Sequence, residues 1–357
     1  MAAIAASFAS CSDKNISGVE DQNLMSELSL STSVLSHSTR SKANFSTNNT
    51  NGFHTGPVMS AQLASGSNIG VTVFNTGTND LYTTANGGNA ENMRWTNDGN
   101  WKYISTTGNQ DLKFFLGSAK ADIVAYFPFE ASNYNRTQMP VQAGYTDFMY
   151  GRAAENGTLF SSNPKANIAL DHAMSMVSFT FAKGEGYTGN CDLQSITINN
   201  TIHNGTMNTL NGKITNGSQI TDLHIASFSG NAYTPSDIQN ATTSTSWTEW
   251  DNISFASNTS KETALGKPTV ANSLAGQFHA MVLPQTFTST VESSFFTVKI
   301  DNVVYEVPFK TSTGNTITWT RGQNHTYNLT LNGGNELVIT SVTITPWTEG
   351  EGGDIEI

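Results

Sequence analysis

The chain has 357 residues, a formal net charge of −11, and charged side chains at only 13% of positions. That length allows two domains with real cores. The acidic balance, without clustered Lys and Arg, argues against a nucleic-acid partner, and no apolar run is long enough for a membrane-spanning helix. Asn, Thr, Ser and Gly replace the missing charges. They suit turns and the wet faces of strands and make poor helix interiors.

Residues 1–11, MAAIAASFASC, are small and apolar and end at Cys11, followed by polar SDKN. This is the pattern of a lipoprotein-type signal, in which cleavage before the cysteine frees its thiol for lipid. Two features depart from it: no Lys or Arg precedes the run, and Phe8 stands where leucine is usual. The plain alternative is a disordered apolar N-terminus. Cys191 is the other cysteine, in GNCDLQSITI, which gives no disulfide framework and suits a packing role.

Residues 12–60 are rich in Ser, Thr and Asn. Leu24, Leu28, Leu30, Val34 and Leu35 stand out, and the alternation of Leu28 and Leu30 with Ser29 and Ser31 predicts a short strand. The polar stretch after it carries Arg40 and Lys42, where an exposed basic residue is a protease site or merely part of a solvated linker.

From residue 61 strands are regular. NIGVTVFN alternates Ile69, Val71 and Val73. RWTNDGNWKY reads as a hairpin turning at Asp98-Gly99, with Trp95 and Trp101 on its arms. DLKFFLG follows, then ADIVAYFPF, apolar enough for a strand buried on both faces. TDFMYGRA leads to a polar break, ENGTLFSSNPK, which places a domain boundary near residue 160.

ANIALDHAMSMVSFTFAKG is the strongest strand pattern. Ile168, Leu170, His172, Met174 and Met176 share one face, and the apolar phase then flips to Val177, Phe179 and Phe181. A β-bulge or burial on both faces explains the flip. His172 reads as a core histidine. DLQSITINN, LNGKITNG and LHIASF continue the pattern, and residues 230–275 are looser, with Trp247 and Trp250 in SWTEWDN. GQFHAMVLPQ precedes a hairpin of SFFTVKI and NVVYEVPF through Asp301-Asn302.

The last pair is RGQNHTYNLTL, a turn at NGGN, then ELVITSVTITPW. Leu337, Val338 and Ile339 are apolar on both sides. Val342 and Ile344 then keep one apolar face against Ser341, Thr343 and Thr345, up to Trp347. So strong a strand can pair with its own sheet or with another molecule's exposed edge. No segment reads as a helix, and the even spacing of strands with Gly and Asn turns predicts an all-β chain of antiparallel β-sandwiches.

No catalytic, metal or phosphate-binding motif is present, the carboxylates are scattered, and the seven histidines lack ligand spacing. No catalytic residue, metal or cofactor is therefore expected. Trp95, Trp101, Trp247 and Trp250 are the candidates for ligand contact, because sugar rings stack on flat aromatics. The blander assignment makes them core or edge residues.

Taken together, FASCSDK, NIGVTVFN, YFPF followed by DFMYG, ANIALDHAMSMVSFTF and WTRGQNHTYNLTL with its ITPW ending resemble the fimbrillins of the type V pilus, assembled on the outer membranes of Bacteroidales. The segments cover most of residues 25–347 in the family's order. The resemblance implies two tandem transthyretin-like β-sandwich domains, at 41–160 and 161–357, behind a signal at 1–11 and a leader at 12–40. It implies lipidation at Cys11, an outer-membrane lipid anchor before processing, and a cut after Arg40 that leaves Ser41 first. It further implies loss of a strand near residues 24–35 and its replacement by a donor strand (Leu337, Val338, Ile339, Val342, Ile344, Trp347) from another subunit. Partners would be further fimbrial subunits, joined head to tail, and a surface receptor. The short Gly-rich tail after Trp347 departs from the family pattern. The alternative is a monomeric outer-membrane lipoprotein binding glycans through exposed tryptophans.

Overall fold

The computed structural model describes residues 25–35, 63, 65–83, 90–106, 108–144, 146–184, 186–189, 193–218, 220–229, 232–234, 274–288, 294–308, 316–334 and 336–346. Among these every regular element is a strand. In chain order the first are β1 (Ser26–Glu27), β2 (Ser29–Val34), β3 (Asn68–Asn75), β4 (Met93–Asn97), β5 (Trp101–Ile104), β6 (Asp111–Leu112), β7 (Phe115–Leu116), β8 (Ala121–Phe127), β9 (Met139–Gln142), β10 (Met149–Ala153) and β11 (Lys165–His172). There follow β12 (Ser175–Lys183), β13 (Leu193–Ile202), β14 (Asn204–Asn208), β15 (Lys213–Asn216), β16 (Ile220–Ser229), β17 (Ala232–Thr234) and β18 (Leu274–Val282). The last are β19 (Gln285–Thr288), β20 (Ser294–Ile300), β21 (Val303–Pro308), β22 (Thr316–Trp319), β23 (Gln323–Asn332) and β24 (Glu336–Pro346).

The N-terminal half is built on an eight-stranded sheet in the order β2-β11-β10-β8-β3-β4-β5-β6, with the two-stranded pair β1-β7 beside it. Its central strands β3 and β8 are buried on both faces, as their near-continuous apolar runs require. The sheet curls so that β2 approaches β5. Between its faces lies a core that includes Ile69, Val71, Ile123, Phe127, Ile168 and Leu170.

The C-terminal half is a sandwich. A four-stranded sheet, β18-β12-β23-β24, packs on a five-stranded one, β17-β16-β13-β20-β21. Its core is aromatic: the Phe179 and Phe296 rings meet edge to face at 4.9 Å, and the Trp319 indole donates to the Tyr327 hydroxyl at 2.9 Å. Burial pushes that phenol well above its ordinary pKa. Asp301 and Asn302 both have positive φ, as a tight hairpin between β20 and β21 demands.

The long strand expected over residues 166–184 is two strands. β11 completes the N-terminal sheet, and at Ala173-Met174 the chain crosses to the other half to become β12. No bulge is needed there: the apolar phase changes because the sheet changes, and Ser175 to Phe179 are then buried on both faces. The polar break near residue 160 instead holds two short bridges, Ala121 with Leu159 and Phe160 with Asn163. The strand after it still belongs to the N-terminal sheet.

A three-stranded sheet ties the halves together. β9, from the N-terminal half, pairs with β14, which pairs with β15. Tyr126, Met139, Val141, Ala173 and Met207 form a small core there. Gly212 has φ +67°, and a Cβ on it would strike the Tyr150 ring. The Arg321 guanidinium lies 5.0 Å from the centre of that ring and donates to the Asn211 carbonyl at 3.1 Å. His172, a core histidine as its place in the pattern suggests, lies beside this junction with Nδ1 2.9 Å from buried Asp147.

Candidate functional site

Two strands that lie at sheet edges among the described residues carry the interest. The first is β2. Along residues 28–34 the even positions point inward and the serines point out, so Leu28, Leu30 and Val34 are buried in the N-terminal core. Each such side chain is worth about 1.5–3 kcal/mol relative to exposure. β2 runs parallel to β11, with Leu30 beside Ala166, Thr32 beside Ile168 and Val34 beside Leu170. Within the eight-stranded sheet this is the one parallel pair.

The strand is fastened at several points. β1 pairs with β7, and the Leu28 amide donates to the Phe114 carbonyl at 2.8 Å. Outside, the Ser31 hydroxyl donates to the Asn167 side-chain carbonyl, and Glu155 accepts from the Asn167 amide at 2.8 Å. Partial burial acts to raise the Glu155 carboxyl, yet hydrogen bonds from the Asn167 backbone and side-chain amides and from its own backbone outweigh it and hold the pKa below the usual range. Inside, Thr32 accepts a hydrogen bond from the Trp101 indole at 3.1 Å. Thr32 is the polar member of an otherwise apolar inward row, and alternation alone could have marked it.

The second edge strand is β24, paired antiparallel with β23. The register shifts between Asn328 and Leu329, and Thr340 is the extra residue, its hydroxyl donating to the Asn328 carbonyl at 3.0 Å. Before this bulge Leu337 and Ile339 oppose Leu331 and Leu329. After it Val342 and Ile344 oppose Tyr327 and His325. The bulge so turns both apolar pairs to one face. Leu337 is buried, but Val342 is 41% and Ile344 58% exposed. The start of the strand is covered and its end is not.

The tryptophan expectations divide. Trp95 is 3% exposed and stacks on Tyr103 at 5.9 Å, so it offers no face to a ligand. Trp101 is partly buried and committed to Thr32. Cys11, Arg40, Ser41, Cys191, Trp247, Trp250 and Trp347 lie outside the described residues. Val338 is half-buried on β24. β21 is the hairpin arm expected over NVVYEVPF, but sequence reading did not foresee that it lies at a sheet edge with Val303 and Val304 uncovered, because its pattern is that of an ordinary hairpin arm. Among the described residues no group of His, Cys, Asp and Glu could hold a metal ion, and no helix is long and apolar enough to cross a membrane.

Comparison with known folds gives the same architecture. A crystal structure of a candidate cell adhesion protein from Bacteroides uniformis matches with a TM-score of 0.52 at 13% identity, covering 91% of this chain and 99% of that one. Another, from Bacteroides ovatus, matches with a TM-score of 0.51 at 12% identity, covering 90% and 95%. At such identities the likeness is one of fold. Among curated proteins nothing matches. In sequence, residues 55–347 match the family described as fimbrillin-like, which is most of the chain, and the protein belongs to that family.

Proposed function

We propose that the protein is a structural and adhesive subunit of a cell-surface fimbria. It is exported as a lipoprotein through Cys11, cut after Arg40, and assembled head to tail by strand exchange. Family membership and the cell-adhesion neighbours support the fimbrial role. The observation that carries the assembly step is the mismatch between two edges. Among the described residues, β2 fills the N-terminal core yet joins its sheet on one side only, while β24 ends in apolar residues that the described sandwich leaves uncovered. Loss of residues up to Arg40 would open a slot along β11 lined by Ala166, Ile168 and Leu170. A strand from a second subunit supplies both the backbone hydrogen bonds and the missing side chains. Such a contact is heterologous and propagates as a filament.

The test is to express residues 12–357, cleave lightly with trypsin and map the new N-terminus by mass spectrometry. A cut at Arg40 followed by SDS-resistant ladders, abolished by deleting residues 337–357, is the expected result. A cleaved protein that stays monomeric sinks the assembly step, and sugar arrays would then examine the glycan-binding alternative.

A further inference from the structure

We infer that the donor strand enters the slot antiparallel to β11, the reverse of the strand it replaces, with Thr340 in the place of Thr32. The inference rests on the strand-exchange reading above.

The slot is defined by four inward residues of the leader, in the order Leu28, Leu30, Thr32, Val34. Three places are apolar. The third is not: the Trp101 indole N–H points at it and bonds the Thr32 hydroxyl. An incoming strand that put a hydrocarbon there would strand that donor, at a cost of about 1–3 kcal/mol. A hydroxyl can accept the bond.

The terminal strand offers two straight phases, because a strand in the slot has no β23 to bulge against. One phase shows Val338, Thr340, Val342 and Ile344; the other shows Leu337, Ile339, Ser341 and Thr343. Read backwards, the first phase is Ile, Val, Thr, Val against Leu, Leu, Thr, Val. Ile344 takes the place of Leu28, Val342 that of Leu30 beside Ala166, Thr340 that of Thr32 beside Ile168, and Val338 that of Val34 beside Leu170. Val342 and Ile344, uncovered on the free subunit, become buried. The outward row is then Thr345, Thr343, Ser341 and Ile339, nearly as polar as the serines it follows.

Other alignments fail at a named position. Run forwards, the same phase either puts Thr340 against Leu30 and Val342 against the indole or, moved by two residues, puts the Glu336 carboxylate in the buried place of Leu28. The second phase run forwards does place Ser341 at the indole. It buries Thr343 where Val34 was, though, and leaves Val338, Val342 and Ile344 facing water. The second phase run backwards puts Thr343 and Ser341 into both leucine places. The antiparallel register is therefore favoured on packing. It is favoured on the backbone as well, since antiparallel ladders are slightly more stable per residue than the parallel one they would replace.

Cross-linking between subunits reads the register. In the antiparallel register Thr343 replaces Ser29 beside Lys165; in the forward rival Val338 does. Subunits carrying Lys165→Cys with Thr343→Cys should form ladders that, after denaturation, persist until reduced. Those with Lys165→Cys and Val338→Cys should not, and single-cysteine variants serve as controls. Thr340→Val should lower the temperature at which ladders dissociate, while Ser341→Ala should leave it unchanged. Ladders that cross-link through Val338→Cys, or through neither pair, overturn the register and leave strand exchange standing. No ladders from the unmodified cleaved protein overturn strand exchange itself.

Discussion

His325 shows what one buried ring costs. It is enclosed on β23, beside Val177 of β12 and opposite Ile344 of β24, and its Nε2 accepts from the Thr320 amide at 3.3 Å. Burial disfavours the charged ring and lowers its pKa from 6.5 to about 4. The folded state therefore holds its proton less tightly than the unfolded chain. Stability from this residue is fully present above pH 6.5 and falls as pH drops towards 4, by on the order of 2 kcal/mol at pH 5. Carboxylates titrate at the lower end of this range, so the comparison to make is between proteins. His325→Gln, which keeps an acceptor for Thr320, should flatten the fall in urea midpoint between pH 7 and pH 5. Equal slopes in the two proteins would show that the ring titrates normally.

For single elements, the edge strand β2 is the sharpest case. Leu28→Ala removes a buried side chain just before β2 and should destabilise the intact protein by about 2–4 kcal/mol. In cleaved, assembled material the residue is gone, so wild type and variant should dissociate alike. Denaturant curves before and dissociation curves after trypsin treatment make the comparison. Elements such as this were legible because one alternation explains them: Leu28 and Leu30 against serines, Ile69 to Val73, Tyr327 to Leu331. Asp301-Asn302 was legible as a turn because few residues tolerate positive φ. The crossing at Ala173-Met174 was not, since two apolar residues there give no turn signal and the apolar row runs on across it. The Thr340 bulge was hidden for a similar reason. Both phases of β24 contain apolar residues, and only pairing with β23 shows which the sandwich uses.

Across the whole molecule, the junction decides whether the two halves move as one. β9 pairs with β14 across more than sixty intervening residues, Met139 lying opposite Met207, and no sequence period announces that pairing. Gly212 holds the turn that lets Tyr150 and Arg321 meet. Gly212→Val would meet both the positive φ and the tyrosine ring, and should cost about 2–4 kcal/mol. Calorimetry should show a lower melting temperature, and small-angle scattering a broader distribution of shapes. An unchanged melting temperature would mean that the turn relaxes freely.

The parallel pairing of β2 with β11 also orders events during biogenesis. Ser31 and its partner Asn167 are 136 residues apart, so the ladder they share cannot close until nearly half the chain has emerged. Closing so large a loop is slow, whereas the hairpins of β3 to β5 close locally. Within the eight-stranded sheet, the strand synthesised first is thus among the last to be seated. It joins strands of its own sheet that can already be paired, as a tethered ligand whose effective concentration is set by the intervening chain. A segment seated last can be withdrawn without unfolding what preceded it, which suits a temporary stopper better than a founding strand.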